Sequence, residues 1–244
     1  MRNVIVTGGS RGLGLAIGET LAAAGYRVIA IARRDTDALR AAAAGAAGAG
    51  HGSIVFRAAD LADTQVIPKL ARDLRKEHGP IYGLVNNAGL GTSGVLGVMR
   101  DHDVERLINL NTLSPILLTK YVVRAMMAER CGRIINISSV VAATGYSGLS
   151  VYSATKASLV GFTRSLAREV GPFEVTVNAI APGFVDTDMT QDLGEGAREK
   201  IARRSALQRL AEPADVARSV EFLLGDGGRN ITGTVLTVDA GNTA

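Results

Sequence analysis

The chain has 244 residues, of which 47% are hydrophobic and 20% charged, with one cysteine and no tryptophan. That composition excludes a disordered chain, and Cys131 alone excludes an internal disulfide or a cysteine-cluster metal site. A net charge of +4 and a pI near 9.5 suit a phosphate-bearing ligand or an acidic partner, but the basic residues are dispersed and give nucleic-acid binding little support.

Asn3–Thr7 reads as a short buried strand that runs directly into Gly8-Gly-Ser-Arg-Gly12-Leu-Gly14. Helical periodicity follows to a glycine stop at Gly25, and Arg27–Ala32 is a second strand, completing a βαβ unit. The glycine spacing is Gly-x3-Gly-x-Gly. Without side chains at the turn, the backbone N–H groups of Gly8, Ser10, Arg11, Gly12, Leu13 and Gly14 can meet a pyrophosphate at a helix N-terminus. The end of the second strand selects between nicotinamide cofactors: an acid there bonds ribose hydroxyls, whereas arginine meets a 2′-phosphate. Arg33-Arg34 and Arg11 converge and favour NADPH over NADH, with Asp35 as the rival acid.

Residues 38–50 are of low complexity and read as a plain helix fraying into a glycine loop. Ser53–Arg57 is a third strand, with Asp60-Leu61 at its carboxyl end, where α/β sheets bind ligands. Thr64–His78 is a helix, and Ile81–Val85 a fourth strand ending in Asn86-Asn87-Ala88-Gly89, either a turn or a cofactor edge. A long helix is expected from about Asp101 to Met127, kinked near Pro115, with Asn111 as a rule-breaking residue inside it. Strand five, around Arg133–Ser138, leads to Ser139, and a helix bearing Tyr152 and Lys156 continues to about Val170. Strand six ends at Pro182-Gly183, and the polar stretch to about Ser205 reads as a mobile lid. Pro213 opens another helix and Thr234–Asp239 is strand seven. The whole is a single α/β domain spanning 1–244, a doubly wound, seven-stranded parallel sheet with helices on both faces. His51, His78 and His102 are isolated surface residues on this reading, and no metal constellation is present.

The stretch Ser139-x12-Tyr152-x3-Lys156 carries the chemistry. A tyrosine and lysine four apart share one helix face, and alone that is an ordinary surface pair. At ~5 Å and an effective dielectric of ~20, an ammonium favours the phenolate by roughly 3 kcal/mol, which would make Tyr152 an acid near neutrality. Ser139 is placed to hold a carbonyl oxygen against it, so the set suggests acid–base work on a C=O or C–OH group.

With these residues in order, the chain resembles the classical short-chain dehydrogenases/reductases over essentially its whole length, and within them the bacterial 3-oxoacyl-[acyl-carrier-protein] reductases. The segments Ala181–Thr190, Ser165–Val170 and Ile231-Thr-Gly233 carry the narrower likeness. The resemblance implies reduction of a 3-oxoacyl thioester or another carbonyl by hydride from NADPH, or oxidation of a sugar, polyol or secondary alcohol. Tyr152 would be the general acid, Lys156 would lower its pKa and hold the nicotinamide ribose, Ser139 would orient the carbonyl, and Asn111 would support a water relay. Asp60, Asn87 and Val185 or Thr187 would contact adenine, ribose and carboxamide, with Leu61, Ala88, Gly89, Pro182 and Gly183 lining the cofactor. It also implies a homotetramer in the cytoplasm, with no membrane or nucleic-acid partner, and acyl carrier protein as a possible one. Two departures bear on that partner: Arg130 fills one of two expected arginine positions, but Phe173 stands at the other, and the C-terminal Val238–Ala244 lacks an aromatic and methionine tail.

Overall fold

Seven parallel strands form one sheet in the order β3-β2-β1-β4-β5-β6-β7 in a computed structural model that describes residues 1–91, 94–185 and 195–244. The strands are β1 (Asn3–Thr7), β2 (Arg27–Ala32), β3 (Ser53–Ala58), β4 (Ile81–Asn86), β5 (Gly132–Ile137), β6 (Val175–Pro182) and β7 (Val235–Val238). Their near-continuous runs of valine and isoleucine are what a sheet covered on both faces requires. Alternation along β1 shows it directly. Val4 and Val6 point into one core with Ile17, Leu21, Val216, Val220 and Leu224, while Ile5 points into the other with Ile67, Leu74, Leu118, Met126 and Leu166.

The first layer is built by α1 (Gly12–Ala23) and α9 (Pro213–Leu224), with α2 (Asp37–Ala49) beside them; the second by α3 (Ile67–His78), α5 (Ser114–Glu129) and α7 (Ser150–Val170). Shorter helices α4 (Asp101–Ile108), α6 (Val141–Thr144) and α8 (Glu195–Arg204) lie along the connections. The expected low-complexity helix is α2; Thr36 caps its start by accepting from Leu39 N (3.2 Å), and Gly50 closes it at φ +72°. Among the described residues no helix is long and apolar enough to cross a membrane.

Strand order reverses between β1 and β4, and at such a switch point the carboxyl ends diverge into a ligand crevice. Thr7 and Asn86 end the two strands there.

Three expectations change. The long helix does not kink at Pro115: a π-helical turn, Asn109–Leu113, separates α4 from α5, and Pro115 sits in the first turn of α5, where its missing N–H is tolerated. His78 is not a surface residue; its side chain is 13% exposed, because α3 ends against β1 and its carbonyl accepts from Asn3 Nδ2 (2.8 Å). Part of the expected lid is the helix α8, while residues 186–194, and with them Thr187, lie outside the described residues.

Candidate active site

The crevice begins with the glycine turn. Gly8 holds φ +67°, and both Gly8 N and Gly9 N donate to Ile31 O (2.8 and 3.3 Å), fastening the turn to the end of β2. Gly14 allows α1 to lie against that turn, since a Cβ there would sit 2.2 Å from Gly8 O. Helix α1 starts at Arg11 with no side-chain cap and no acid in its first turn. Its first N–H groups have no partner within the helix and the positive end of its dipole is not neutralised, an arrangement that fits the pyrophosphate of a dinucleotide. Ser10 O is engaged by Thr36 Oγ1 (2.6 Å), and Leu13 is half-buried against the first core.

Thr7 organises the opposite wall. Its hydroxyl accepts from Asn87 N and Ala88 N, both at 2.9 Å, and donates to Val85 O (3.3 Å). Asn87 Nδ2 returns the contact to Thr7 O (2.9 Å), so the asparagine turn and glycine turn are one hydrogen-bonded unit. Behind them runs a buried polar chain: Asn86 Nδ2 donates to Thr119 Oγ1 (3.0 Å) and Asn136 Oδ1 (2.8 Å), and Asn136 Nδ2 donates to Thr163 Oγ1 (2.9 Å). It joins α5, β4, β5 and α7, which together carry or flank the catalytic candidates.

At the carboxyl end of β3, Asp60 is exposed and accepts from Ala62 N (3.0 Å). Leu61 beside it is only 5% exposed and belongs to the second core, which leaves its backbone rather than its side chain to face a ligand. Pro182 ends β6 and Gly183 follows it; Pro182 O accepts from Val140 N (3.0 Å) and Gly183 N donates to Val238 O (2.9 Å). Val185 is buried and bridges to Ala211. Arg33 and Arg11 are exposed near the glycine turn, whereas Asp35 is bonded to Arg40 (3.0 Å).

The catalytic candidates converge at the start of α7. Ser138 Oγ, at the end of β5, donates to Lys156 O (2.9 Å) and pins the helix to the sheet. Lys156 is 5% exposed; its Nζ donates to Ile137 O (2.9 Å) and lies 5.7 Å from the Tyr152 ring centroid. Gly89 faces the same group: a Cβ on it would lie 3.3 Å from Asn111 Oδ1 and 3.5 Å from Lys156 Nζ. Asn111, in the π-helical turn, accepts from Leu90 N (2.8 Å) and donates to Leu90 O (2.9 Å) and Thr155 Oγ1 (3.2 Å). Thr155 in turn donates to Tyr152 O (2.7 Å). The turn at 109–113 thus grips both the loop after the asparagines and the backbone of Tyr152, and the Asn111 side chain is committed to those contacts.

The electrostatics reverse one expectation. Burial raises the Tyr152 phenol above its ordinary pKa, and hydrogen bonding from Ser139 only partly offsets it. Burial alone lowers Lys156 to about 8. Attraction between ammonium and phenolate favours ionisation of the phenol, but desolvation opposes both charges, and here desolvation dominates. A folded-state pKa below the unfolded 10.5 means the folded chain holds its proton less tightly. The penalty is therefore fully present below pH 8, about 3 kcal/mol from the size of the shift, and stability rises as pH climbs from about 8 to 10.5. Lys156→Met should accordingly be more stable than the parent at pH 7, by about 1–3 kcal/mol once the lost bond to Ile137 O is allowed for. Urea unfolding at pH 7 and pH 10 measures this; a less stable variant at both would show that the ammonium is not costing stability.

Sequence reasoning named Tyr152, Lys156, Ser139 and Asn111, and the fold brings all four together. It missed Thr7, Thr36, Thr155 and Ser138 as organisers. A polar residue breaking an apolar run was the available signal for Asn136, within Ile134-Ile135-Asn136-Ile137.

Comparison with known proteins agrees with this geometry. The family model for short chain dehydrogenases matches residues 2–198. The 3-oxoacyl-[acyl-carrier-protein] reductase of Salmonella typhimurium is 41% identical over 237 residues, covering 97% of this chain and 95% of the relative. Two solved structures superpose with a TM-score of 0.91 over 100% of this chain and 98% of theirs. They are a short chain dehydrogenase from Burkholderia cenocepacia in complex with NADP, 35% identical, and a blue fluorescent protein from a metagenomic library in complex with NADPH, 34% identical. With a family match over most of its length and a relative 41% identical across nearly the whole of both chains, the chain belongs to the short-chain dehydrogenase family of oxidoreductases.

Proposed function

We propose that the protein is an NADPH-dependent carbonyl reductase whose substrate is a 3-oxoacyl thioester. The observation that carries this is the convergence of Tyr152, Ser139 and Lys156 on one mouth of the crevice, with the glycine turn and exposed arginines at the other. NADPH would supply the hydride. Gly8, Ser10, Arg11, Gly12, Leu13 and Gly14 would hold its pyrophosphate, Arg33 and Arg11 its 2′-phosphate, and Asp60, Leu61, Asn87, Ala88, Gly89, Pro182, Gly183, Val185 and Thr187 the remaining surface. NADPH and NADP are the ligands of the two structural neighbours, which supports the same choice.

In this reading the Tyr152 hydroxyl protonates the carbonyl oxygen as the alcohol forms. Its raised pKa keeps it protonated at neutral pH, the state a proton donor for reduction must start from. Ser139 donates to the same oxygen and orients it. Lys156, still largely protonated below about pH 8, stabilises the phenolate left behind and holds the ribose. Asn111 keeps Leu90 and, through Thr155, Tyr152 in place; a water relay would have to pass through the main chain of the π-helical turn.

The acyl thioester is favoured by the relatives, which are named for it. Two observations argue against an acyl carrier protein as the carrier. Arg130 is occupied by Glu174 (3.0 Å), and Phe173 packs against the second core. A broader carbonyl reductase or secondary-alcohol dehydrogenase is the second reading, favoured by that missing arginine. Incubating the protein with NADPH or NADH and a panel of a short 3-oxoacyl thioester, simple ketones and polyols, while following nicotinamide absorbance, tests both. Turnover of the thioester with NADPH at least tenfold above the other ketones is expected; no thioester turnover with active ketones would replace the first reading by the second.

The proposal includes a single domain over 1–244, a cytoplasmic location and a homotetramer. Support for assembly comes from exposed Leu96 (57%) and Ile108 (45%), which border a groove of about 460 Å³ between α4 and the start of α7.

A further inference from the structure

The segment between β2 and α2 contains one acid where the field should be positive. Arg33 and Arg34 follow β2, and Arg11 stands at the mouth of α1. The bonds from Gly8 N and Gly9 N to Ile31 O tie the glycine turn to the near end of this segment, and Thr36 Oγ1 to Ser10 O (2.6 Å) ties it to the far end. Three guanidinium groups are thus carried on two short segments joined at both ends, with Asp35 on the second of them, between Arg34 and Thr36. A free carboxylate there would cancel part of their field and repel a phosphate dianion. It is not free: Arg40, one turn into α2, reaches back with Nη1 to Asp35 Oδ2 at 3.0 Å and with Nη2 to Asp37. The Asp35 side chain is 35% exposed, whereas Asp37 is 99% exposed and faces solvent.

We infer that Arg40 is a specificity-determining residue for a 2′-phosphorylated dinucleotide, acting through Asp35, whose carboxylate it neutralises beside the arginines that meet the phosphate. The inference rests on the NADPH reading above. An exposed ion pair adds little to folding stability, so losing this one should register in ligand choice and not in unfolding.

Titration calorimetry with 2′,5′-ADP and 5′-AMP on the whole protein reads the phosphate alone, without turnover. For Arg40→Ala the ratio of 2′,5′-ADP to 5′-AMP affinity should fall about five- to tenfold, with the unfolding temperature little changed; the loss should shrink in about 0.5 M salt, where charges are screened within a few ångströms. Asp35→Asn added to Arg40→Ala should return the ratio to within about twofold of the parent. An Arg40→Ala ratio equal to the parent's, or a double variant as poor as the single, overturns the role of Arg40 while leaving the parent's preference for 2′,5′-ADP intact. A parent with no such preference overturns the phosphate reading itself, and Arg40's role with it.

Discussion

Tyr152→Phe should lower kcat for carbonyl reduction at least a hundredfold and leave NADPH affinity unchanged within about twofold. General acid catalysis by a placed group contributes about 10²–10⁴, and phenylalanine removes only the hydroxyl from a ring that keeps its packing on the helix. The pH profile supplies the second half of the test. The Tyr152 phenol is raised by burial, so it stays protonated through neutrality. Lys156 loses its proton as pH rises through about 8, and with it the charge that stabilises the departing phenolate. The parent's reduction rate should be level below pH 8 and decline above it, whereas the residual rate of the Phe variant should not depend on pH in that range. Stopped-flow turnover across pH 6–9, with cofactor affinity by fluorescence, measures both. A Phe variant keeping more than a tenth of the parent's kcat would place the acid elsewhere.

That experiment bears on a point where sequence and structure part company. Spacing alone put Tyr152 and Lys156 on one helical face, because a period of 3.6 is visible in any sequence. The sign of the phenol's pKa was not visible: it depends on how much water each group loses, and burial of Lys156 to 5% exposure follows from packing α7 against β5, not from spacing. The same distinction explains Asn111. An asparagine within a helical run marks an irregular turn, and the nearby Pro115 points to a proline kink. The actual device is a π-helical turn whose Asn111 side chain bonds the backbone of Leu90, 21 residues away. The organising role of Thr7 is not legible in the sequence for a related reason. Its partners Asn87 and Ala88 lie 80 and 81 residues along the chain, and they meet it only because β1 and β4 are neighbours at the switch point. Strand identities, by contrast, were legible within a residue or two, since runs such as Asn3-Val-Ile-Val-Thr7 have one use in a sheet covered on both faces.

Gly14→Ala and Gly18→Ala, two substitutions one helical turn apart in α1, should have opposite signs. Helix propensity favours alanine over glycine by about 1 kcal/mol at an interior position, and taken alone it predicts stabilisation at both. Packing separates them. At Gly18 the nearest atom to a new Cβ is Val28 Cγ1 at 3.7 Å, an ordinary contact, so Gly18→Ala should be neutral to stabilising by up to about 1 kcal/mol. At Gly14 the Cβ would lie 2.2 Å from Gly8 O and 2.6 Å from Asn87 Nδ2. Neither neighbour can yield cheaply. Gly8 is held at φ +67° by its bond to Ile31 O, and Asn87 Nδ2 is bonded to Thr7 O, so relief requires α1 to lift away from β1 or the two turns to separate. Overpacking of this kind costs about 1–3 kcal/mol, enough to outweigh propensity. Separation of the turns also moves the first N–H groups of α1 away from where a pyrophosphate would lie. Gly14→Ala should therefore lose NADPH affinity about a hundredfold or more in addition to its stability, whereas Gly18→Ala should bind like the parent. Denaturant unfolding and cofactor titration of the pair decide it: if both variants bind NADPH like the parent, the close approach of helix to turn is not what shapes this cofactor cradle.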